Sequence, residues 1–205
     1  MSAAMALSRR DERREAILDV ARECFLADGY GATSMSTIAA RLGGSKGTLY
    51  NYFRSKEDLF AAMIQRQCGE VQASLFDVGA AGGEPRARLT RFARSFLQAL
   101  MDPQALGIHR LIVGEGDRFP ELGRVFFESG PQPVMDRVGA YLGELMDQGV
   151  LRRADPAIAA QQFKGLALSG AYWHVMWGVM DAPSPAEIEE QADQTVEAFL
   201  RAYAP

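Results

Sequence analysis

This chain has few histidines and cysteines, the residue types on which disulfides and many metal sites depend. Its 205 residues include two histidines and two cysteines. His109 and His174 lie far apart, and no HExxH, CxxC or other paired-ligand spacing occurs. The sequence therefore predicts a protein that holds no metal and no cofactor and that is not an enzyme.

Long hydrophobic runs are also missing. The most apolar stretch, residues 165–180, has 16 residues, whereas a membrane-spanning helix needs about 20. The first arginines follow a very short apolar patch, which reverses the order found in a secretory leader. Cys24 and Cys68 lie far apart in helix-like surroundings, as free thiols do in a reducing compartment. We expect a cytoplasmic protein that does not associate with a membrane.

The chain as a whole has no excess of positive charge, because its net charge is −4. Its two parts differ, however. Residues 1–66 contain ten basic and eight acidic residues, whereas residues 67–205 contain twelve and eighteen. This asymmetry indicates that a nucleic-acid partner would meet the N-terminal part, with the acidic remainder facing away from it.

Strand patterns are missing as well, since no segment alternates apolar and polar residues. Apolar residues recur at helical spacing instead, between breaks rich in glycine and proline, and Gly130-Pro131 kinks or splits one helix. The sequence predicts an all-α fold of about nine helices. We place a DNA-binding domain at residues 1–54, of which 1–8 form a flexible arm. A C-terminal domain at 55–205 begins with a long connecting helix.

A helix-turn-helix pattern follows the first predicted helix. An apolar helical face at residues 38–42 is interrupted by Gly43-Gly44, which predicts a tight turn. Ser45 is a suitable N-cap for a second short helix over residues 46–52. Helix, glycine-containing turn and helix in this order are the plan of a DNA-binding helix-turn-helix.

Over about 50 residues the chain resembles the TetR (tetracycline-repressor-like) family of transcriptional regulators. The segments that carry the resemblance are EAILDVARECFLADGYGATSMSTIAARLG at 15–43 and GGSKGTLYNYFRSKEDLF at 43–60. Gly44 departs from the pattern, because family members usually place valine or another apolar residue there. The C-terminal half is similar to one common subgroup of the family at RFPEL (118–122), at Gly130-Pro131 and at GVLRRADPAIAAQQF (149–163).

The resemblance implies a palindromic double-stranded DNA operator as partner. Lys46 can meet a phosphate or a guanine edge, Gly47 permits close backbone approach, and Asn51 can pair with adenine. Hydroxyl groups near the start of the preceding helix can meet another phosphate. The predicted DNA-binding residues are Ser34, Ser36, Thr37, Ser45, Lys46, Gly47, Thr48, Tyr50, Asn51, Tyr52 and Lys56.

The resemblance also implies a pocket for a small-molecule effector in the C-terminal domain. Tryptophan, phenylalanine and methionine can form its apolar wall and histidine can orient a ligand, although each such residue could equally be ordinary core. The predicted effector-binding residues are Phe96, Met101, His109, Phe126, Met135, Phe163, Trp173, His174 and Trp177.

A homodimer through the last two helices is implied in the same way. Small residues would let helices approach closely, and an apolar stripe would supply the contact. The predicted interface residues are Ala167, Ala171, Ile188, Ala192, Val196, Phe199 and Leu200.

The functional hypothesis is a dimeric, ligand-responsive regulator of transcription. We expect a repressor that a small apolar or amphipathic effector releases from its operator. The alternative is a helix-turn-helix protein whose C-terminal domain only dimerises or binds a protein partner. A continuous cavity of several hundred Å³ would favour the first interpretation, and a collapsed core would favour the second.

Overall fold

The computed structural model describes residues 8–77 and 84–205. Within these ranges the chain forms eleven α-helices and no β-strand, which confirms the predicted all-α fold. The helices are α1 (Arg9–Asp28), α2 (Met35–Arg41), α3 (Lys46–Tyr50), α4 (Lys56–Asp77), α5 (Pro85–Met101), α6 (Pro103–Glu115), α7 (Pro120–Ser129), α8 (Pro131–Asp147), α9 (Pro156–Leu168), α10 (Ala171–Met176) and α11 (Pro185–Ala202). None of them, over the described residues, is long and apolar enough to cross a membrane.

The predicted count of about nine is exceeded because two of the predicted helices are each divided. At Gly130-Pro131, α7 gives way to α8, since proline has no N–H for the hydrogen bond of a continuous helix. At Gly170, with φ −92° and ψ −127°, α9 gives way to α10. The first break carries a sequence signal, whereas the second has no proline and was not predicted.

Helix starts follow the capping rules closely. The Ser8 hydroxyl accepts the Asp11 N–H, and the Asp11 carboxylate accepts the Ser8 N–H, which is a capping box. Ser184 and Glu187 form the same box at α11. Of the predicted flexible arm, only Ser8 lies within the described residues, and there it already belongs to the first helix cap.

The chain divides into two compact units. The first combines the described residues up to Gln67 with Leu111–Phe126, and the second contains the described residues of Cys68–Arg110 and Phe127–Pro205. The first unit continues past the predicted boundary at residue 54 because the start of α4 is part of its core, with Leu59 and Phe60 buried. The division into a DNA-binding domain at 1–54 and a C-terminal domain at 55–205 stays a prediction.

An ion-pair cluster also ties the start of α4 to α1. The Arg66 guanidinium donates to the carboxylates of Glu15 and Asp19, each at 2.8 Å. These two carboxylates raise the pKa of Arg66 against the opposing effect of burial. The first unit is therefore closed across α1 and α4 by charge as well as by apolar contact.

The core of the second unit lies among α5, α8, α9 and α11. Phe163 and Phe199 meet edge to face, with ring centres 5.1 Å apart, and both side chains are fully buried. Phe199 in turn stacks on Tyr203 at 4.5 Å. Aromatic pairs of this kind contribute about 0.5–1.5 kcal/mol each beyond the area they bury.

Most of the predicted dimer-interface residues are buried within the single chain, and their role in a dimer stays a prediction. Five of its seven residues are at most 6% exposed within the single chain, where they face the core of the second unit; they are Ala167, Ile188, Ala192, Val196 and Phe199. The apolar stripe of α11 thus packs against the core of the same chain. Ala171 and Leu200 are only partly buried.

Candidate nucleic-acid interface and ligand cavity

The turn between α2 and α3 is a glycine-dependent helix stop. The Gly43 N–H donates to the carbonyl of Ala40, and the Gly44 N–H donates to that of Ala39, both at 3.1 Å. This is the Schellman arrangement, which needs a left-handed residue, and Gly43 supplies it with φ +67°. Two otherwise unpaired carbonyls at the end of α2 are satisfied, so the two helices are held at a defined angle.

The short helix α3 begins and is oriented by specific side chains. The Ser45 hydroxyl accepts the Thr48 N–H at 3.1 Å, which caps the helix. Leu49 and Phe53 are buried and anchor one side of the helix. The opposite side therefore faces solvent, with Lys46 and Asn51 exposed.

Most of the predicted DNA-binding residues are exposed in the first unit. Eight of the eleven are exposed; they are Ser34, Ser36, Thr37, Ser45, Lys46, Gly47, Tyr50 and Asn51. The other three, Thr48, Tyr52 and Lys56, are partly buried. Two hydroxyl pairs lie at 2.9 Å, Ser34 with Thr37 and Ser45 with Thr48, so these side chains are already ordered without DNA. Their contacts with DNA stay a prediction.

Arginines of α1 lie close to the end of α3. This contact was not predicted from the sequence. The Arg10 guanidinium is 6.0 Å from the centre of the Tyr52 ring, and that of Arg14 is 5.4 Å from the Phe53 ring. A Cβ at Gly44 would approach Arg13 Nη2 to 3.3 Å, so the glycine leaves room for this arginine. Positive charge is thereby concentrated next to the exposed face of α3, where a phosphate backbone would pass.

Lys56 has partners inside the first unit that the sequence did not suggest. Its ammonium donates to the carbonyls of Tyr30 at 2.8 Å and Thr33 at 3.1 Å. It also lies 4.1 Å from the centre of the Tyr30 ring. Lys56 therefore joins the start of α4 to the loop between α1 and α2. Its contact with a DNA phosphate stays a prediction, and one N–H remains for it.

We expect Lys56→Met to destabilise the protein by about 2–3 kcal/mol, because two carbonyls lose a charged donor and Tyr30 loses its cation. Lys46→Met is the matched control. Within residues 8–77 and 84–205 the side chain of Lys46 contacts only the Tyr50 ring, at 5.7 Å, so the unfolding free energy of Lys46→Met should stay within about 0.5 kcal/mol of wild type. Urea unfolding followed by circular dichroism measures both values. Equal stabilities of the two variants would contradict the structural role of Lys56.

The end of α6 and the start of α7 dock on the same loop. The Gly31 N–H donates to Glu115 Oε1 at 3.1 Å, and Phe119 meets Tyr30 edge to face at 5.0 Å. A Cβ at Gly31 would lie 3.2 Å from Glu115 Oε2 and 3.3 Å from Phe119, so a side chain there would crowd the contact. These contacts explain why Leu111–Phe126 belongs to the first unit although it is distant in sequence from the rest of that unit.

The predicted effector-binding residues do not converge on one pocket. Phe96, Met135 and Phe163 are buried in the main core of the second unit. Met101 belongs to a smaller buried cluster with Leu106, Tyr172 and Val175. Phe126 lies in the first unit, and His109 is partly buried on α6. Trp173, His174 and Trp177 are exposed on or next to α10. The two tryptophans are 45% and 70% exposed, and the effector-binding role of these residues stays a prediction.

His109 is a partly buried histidine that is neutral at pH 7. Its Nδ1 is 2.7 Å from the Tyr172 hydroxyl, and burial lowers the pKa of His109 from 6.5 to about 4. Burial also raises the pKa of Tyr172 to about 12, so the hydroxyl keeps its proton. The pair therefore joins α6 and α10 through a neutral hydrogen bond across most of the pH range.

We expect His109 to make the folded state sensitive to acid. Its pKa is lower in the folded than in the unfolded chain, so unfolding takes up a proton between pH 6.5 and about 4. Stability should fall across this window by up to about 1.4 kcal/mol per pH unit from this group. His109→Gln should remove this component, as judged by urea unfolding at pH 7, 6 and 5. An unchanged pH dependence in the variant would contradict the assignment.

The two cysteines and the acidic residues offer no reactive or metal site in the described parts of the chain. Both thiols are free and buried, and burial raises the pKa of Cys68 to about 11. No group of three His, Cys, Asp or Glu residues within 8–77 and 84–205 is placed to hold a metal ion.

A cavity of about 240 Å³ opens beside the main core of the second unit. Four of its apolar residues come from α4 and α5. One of them, Phe92, stacks on Phe96 at 5.7 Å, so one predicted effector residue packs behind the wall. None of the nine predicted residues lines the cavity directly. The lining residues are Leu75, Phe76, Arg88, Leu89, Phe92, Arg137, Val138 and Tyr141.

Comparisons with known proteins cover both halves of the chain. Residues 17–63 match the family described as bacterial regulatory proteins, tetR family. Residues 87–205, more than half of the chain, match the family described as AefR-like transcriptional repressor, C-terminal domain.

Solved structures and curated relatives agree with these matches. A TetR-family regulator from Mesorhizobium loti MAFF303099 is 30% identical, with a TM-score of 0.84 over 97% of this chain and 100% of that chain. The flavonoid-responsive regulator FrrA is 34% identical, with a TM-score of 0.80 over 95% of this chain and 98% of its own. The transcriptional activator FasR of Mycolicibacterium smegmatis is 37% identical over 87 residues. That match spans 42% of this chain but only 40% of FasR, less than half of the relative's length.

The family matches and the whole-chain relatives agree with the exposed, capped α3 and the turn before it. This chain belongs to the TetR family of DNA-binding transcriptional regulators.

Proposed function

We propose that the protein is a dimeric, ligand-responsive regulator that binds a palindromic operator and acts as a repressor. The observation that carries the DNA-binding step is the exposed face of α3. There the side chains of Lys46 and Asn51 make no hydrogen bond to any of the described residues. A helix anchored by buried Leu49 can place these two side chains in a major groove. Neighbouring Arg10 adds charge for the phosphate backbone.

The proposed dimer uses the last helices of the chain but a different face from the one predicted. Large apolar side chains are exposed on α9, on α10 and just after it, namely Ile158, Trp173, Trp177, Val179 and Met180. Aromatic residues and methionine are enriched in protein interfaces, and an exposed group of this size is unusual on a monomer. A second copy of the chain would cover these side chains, consistent with the dimers typical of the family.

The proposed coupling runs along two helices that each belong to both units. Helix α4 begins at Lys56 in the first unit, and α6 ends at Glu115 in the same unit. Both residues hydrogen-bond the loop around Tyr30, next to the helix-turn-helix. A ligand that binds better to one position of α4 or α6 would therefore change the position of the reading helices. Only this differential affinity is required to lower operator binding.

Ligand response is supported by the cavity beside α5 and by the relative FrrA, which is described as flavonoid-responsive. The cavity lies against α4, the helix through which the response would pass. Its volume of about 240 Å³ is below the range of about 300–1,000 Å³ of many ligand pockets, which indicates a compact effector.

The small cavity also favours the alternative function, in which the C-terminal domain dimerises without sensing a ligand. The two functions differ in one observable property. Ligand occupancy lowers operator affinity in the first and leaves it unchanged in the second.

Fluorescence anisotropy with a labelled DNA fragment from upstream of the protein's own gene tests the proposal. We expect tighter binding to this fragment than to a shuffled one, and a log–log salt slope of about −0.9 per phosphate contacted. A panel of flavonoids and small amphipathic acids should then release the fragment. Equal affinity for native and shuffled DNA would contradict specific operator recognition.

A further inference from the structure

The cavity beside α5 carries two arginines whose guanidinium groups have no acidic partner within residues 8–77 and 84–205. Arg88 lies 4.1 Å from the centre of the Tyr141 ring, and Arg137 lies 3.6 Å from that of Phe76. Among the described residues, these ring contacts are their only side-chain interactions. A guanidinium stacked on a ring still presents its N–H groups at the edge, where they can bind an anion.

Other arginines of the same unit are paired. Arg94 binds the Glu189 carboxylate at 3.0 Å, and Arg86 binds Glu197. Arg110 donates to the carbonyl of Met176, and Arg152 to that of Ala202, both at 3.0 Å. Arg88 and Arg137 differ from all of these, and they are also the two arginines that line the cavity. This coincidence indicates a binding role rather than a structural one.

The electrostatic environment of the cavity is positive at Tyr141. Burial raises the pKa of this tyrosine, and the next largest influence is Arg88, which opposes the rise. Glu144 acts in the raising direction but more weakly than Arg88, and Arg91 adds a further positive influence. An anion placed there would meet attraction, whereas a cation would be repelled.

The rest of the lining is apolar, and this defines the other half of the ligand. Leu75 and Leu89 are buried at the base, and Phe92 and Val138 contribute to the sides. A purely hydrophilic anion such as phosphate would leave this surface unused. An uncharged apolar molecule would cover it and leave the N–H groups of the arginines unpaired.

We propose that this cavity binds a compact amphipathic carboxylate. The carboxylate lies on the guanidinium edges of Arg88 and Arg137, and the apolar body lies between α5 and α8. Arginine binds carboxylates through two parallel N–H bonds, which matches this geometry. The inference names the ligand class of the proposed effector site, and its regulatory consequence rests on the proposed function.

Direct binding without DNA tests the inference. Isothermal titration compares three acids with their matched alcohols: octanoate with octan-1-ol, 3-phenylpropionate with 3-phenylpropan-1-ol, and 2-naphthoate with 2-naphthylmethanol. We expect at least one acid to bind about ten- to a hundredfold more tightly than its alcohol, as charged hydrogen bonds imply. If no acid binds better than its alcohol, the proposal is overturned.

The double variant Arg88→Gln/Arg137→Gln should lose this preference and keep the affinity for the alcohol. Arg152→Gln is the matched control, because Arg152 also stacks on an aromatic ring, that of Tyr203 at 4.6 Å, but lies outside the cavity. It should keep the preference. An unchanged preference in the double variant would overturn the site assignment, and circular dichroism melts confirm that each variant is folded.

Operator binding measured on the same samples separates this inference from the proposed function. Carboxylate binding that depends on the two arginines, without any DNA binding, would support the site and contradict the function. Specific DNA binding without a carboxylate preference would support the function and contradict the site.

Discussion

Trp177→Glu is expected to give a folded monomer whose affinity for a palindromic operator is about 100- to 10,000-fold below that of the wild-type chain. The side chain is 70% exposed, so a glutamate there does not disturb the core of the protomer. A charge buried between two copies would oppose association, because its desolvation is not compensated. A monomer reaches only one half-site and loses the gain in effective concentration that links the two binding events.

Sedimentation velocity and operator titration on the same preparation measure both effects. Phe127→Glu is the control, since Phe127 is 51% exposed on α7, outside the proposed interface, and its replacement should leave the dimer intact. A dimeric Trp177→Glu protein would refute the proposed surface. Phe199→Glu would not test it, because Phe199 is fully buried in its own protomer and a charge there would unfold the chain.

Lys46→Ala and Asn51→Ala are each expected to lower discrimination between the operator and single-base variants by about 1–3 kcal/mol per half-site. In a dimer each substitution removes the contact from both half-sites. For an operator variant that carries the same base change in both half-sites, the loss of discrimination is therefore about twice as large. Both side chains are exposed, and neither makes a side-chain hydrogen bond in the part of the chain that the structure describes. Stability should therefore be unchanged while base selectivity falls.

Affinities across a set of single-base operator variants decide this prediction. Lys164→Ala on α9 is the matched control, since it removes a lysine outside the first unit and should leave every affinity unchanged. If Lys46→Ala and Asn51→Ala weaken all variants equally, the two residues position the helix on phosphates and do not read bases.

The local part of the fold could be predicted from sequence because its signals are local. Ser45 as a cap, Gly43-Gly44 as a turn and Leu49 as an anchor each act within a few residues, and the structure has all three. The hydrogen bond between the Gly31 N–H and the Glu115 carboxylate could not be predicted in this way. It joins residues 84 positions apart, and neither carries a recognisable motif.

The sequence could not show what covers the apolar stripe of α11, for a physical reason. A stripe of this kind indicates that one face of a helix is buried, but not against what. In this protein Ile188, Ala192 and Phe199 pack on α5 and α9, whereas the exposed apolar side chains, such as Trp173, lie on or next to α9 and α10. Exposure depends on the tertiary structure, so the sequence could not separate the two faces.

The cavity was missed for a related reason. Aromatic and methionine residues drew attention to the core, whereas the distinctive feature is a pair of arginines on α5 and α8, 49 positions apart. On either helix alone an arginine reads as a solvated surface charge. Only the folded chain places both of them against aromatic rings without a carboxylate partner among the described residues.

Hydroxyl-radical footprinting on the DNA upstream of the protein's own gene tests the central claim most directly. The account predicts two symmetric protected half-sites whose centres are about 10 base pairs, or a multiple of that, apart. The protection should disappear with Lys46→Ala/Asn51→Ala and persist with Lys164→Ala. A single unsymmetric site, or protection that survives the loss of both α3 side chains, would contradict the account.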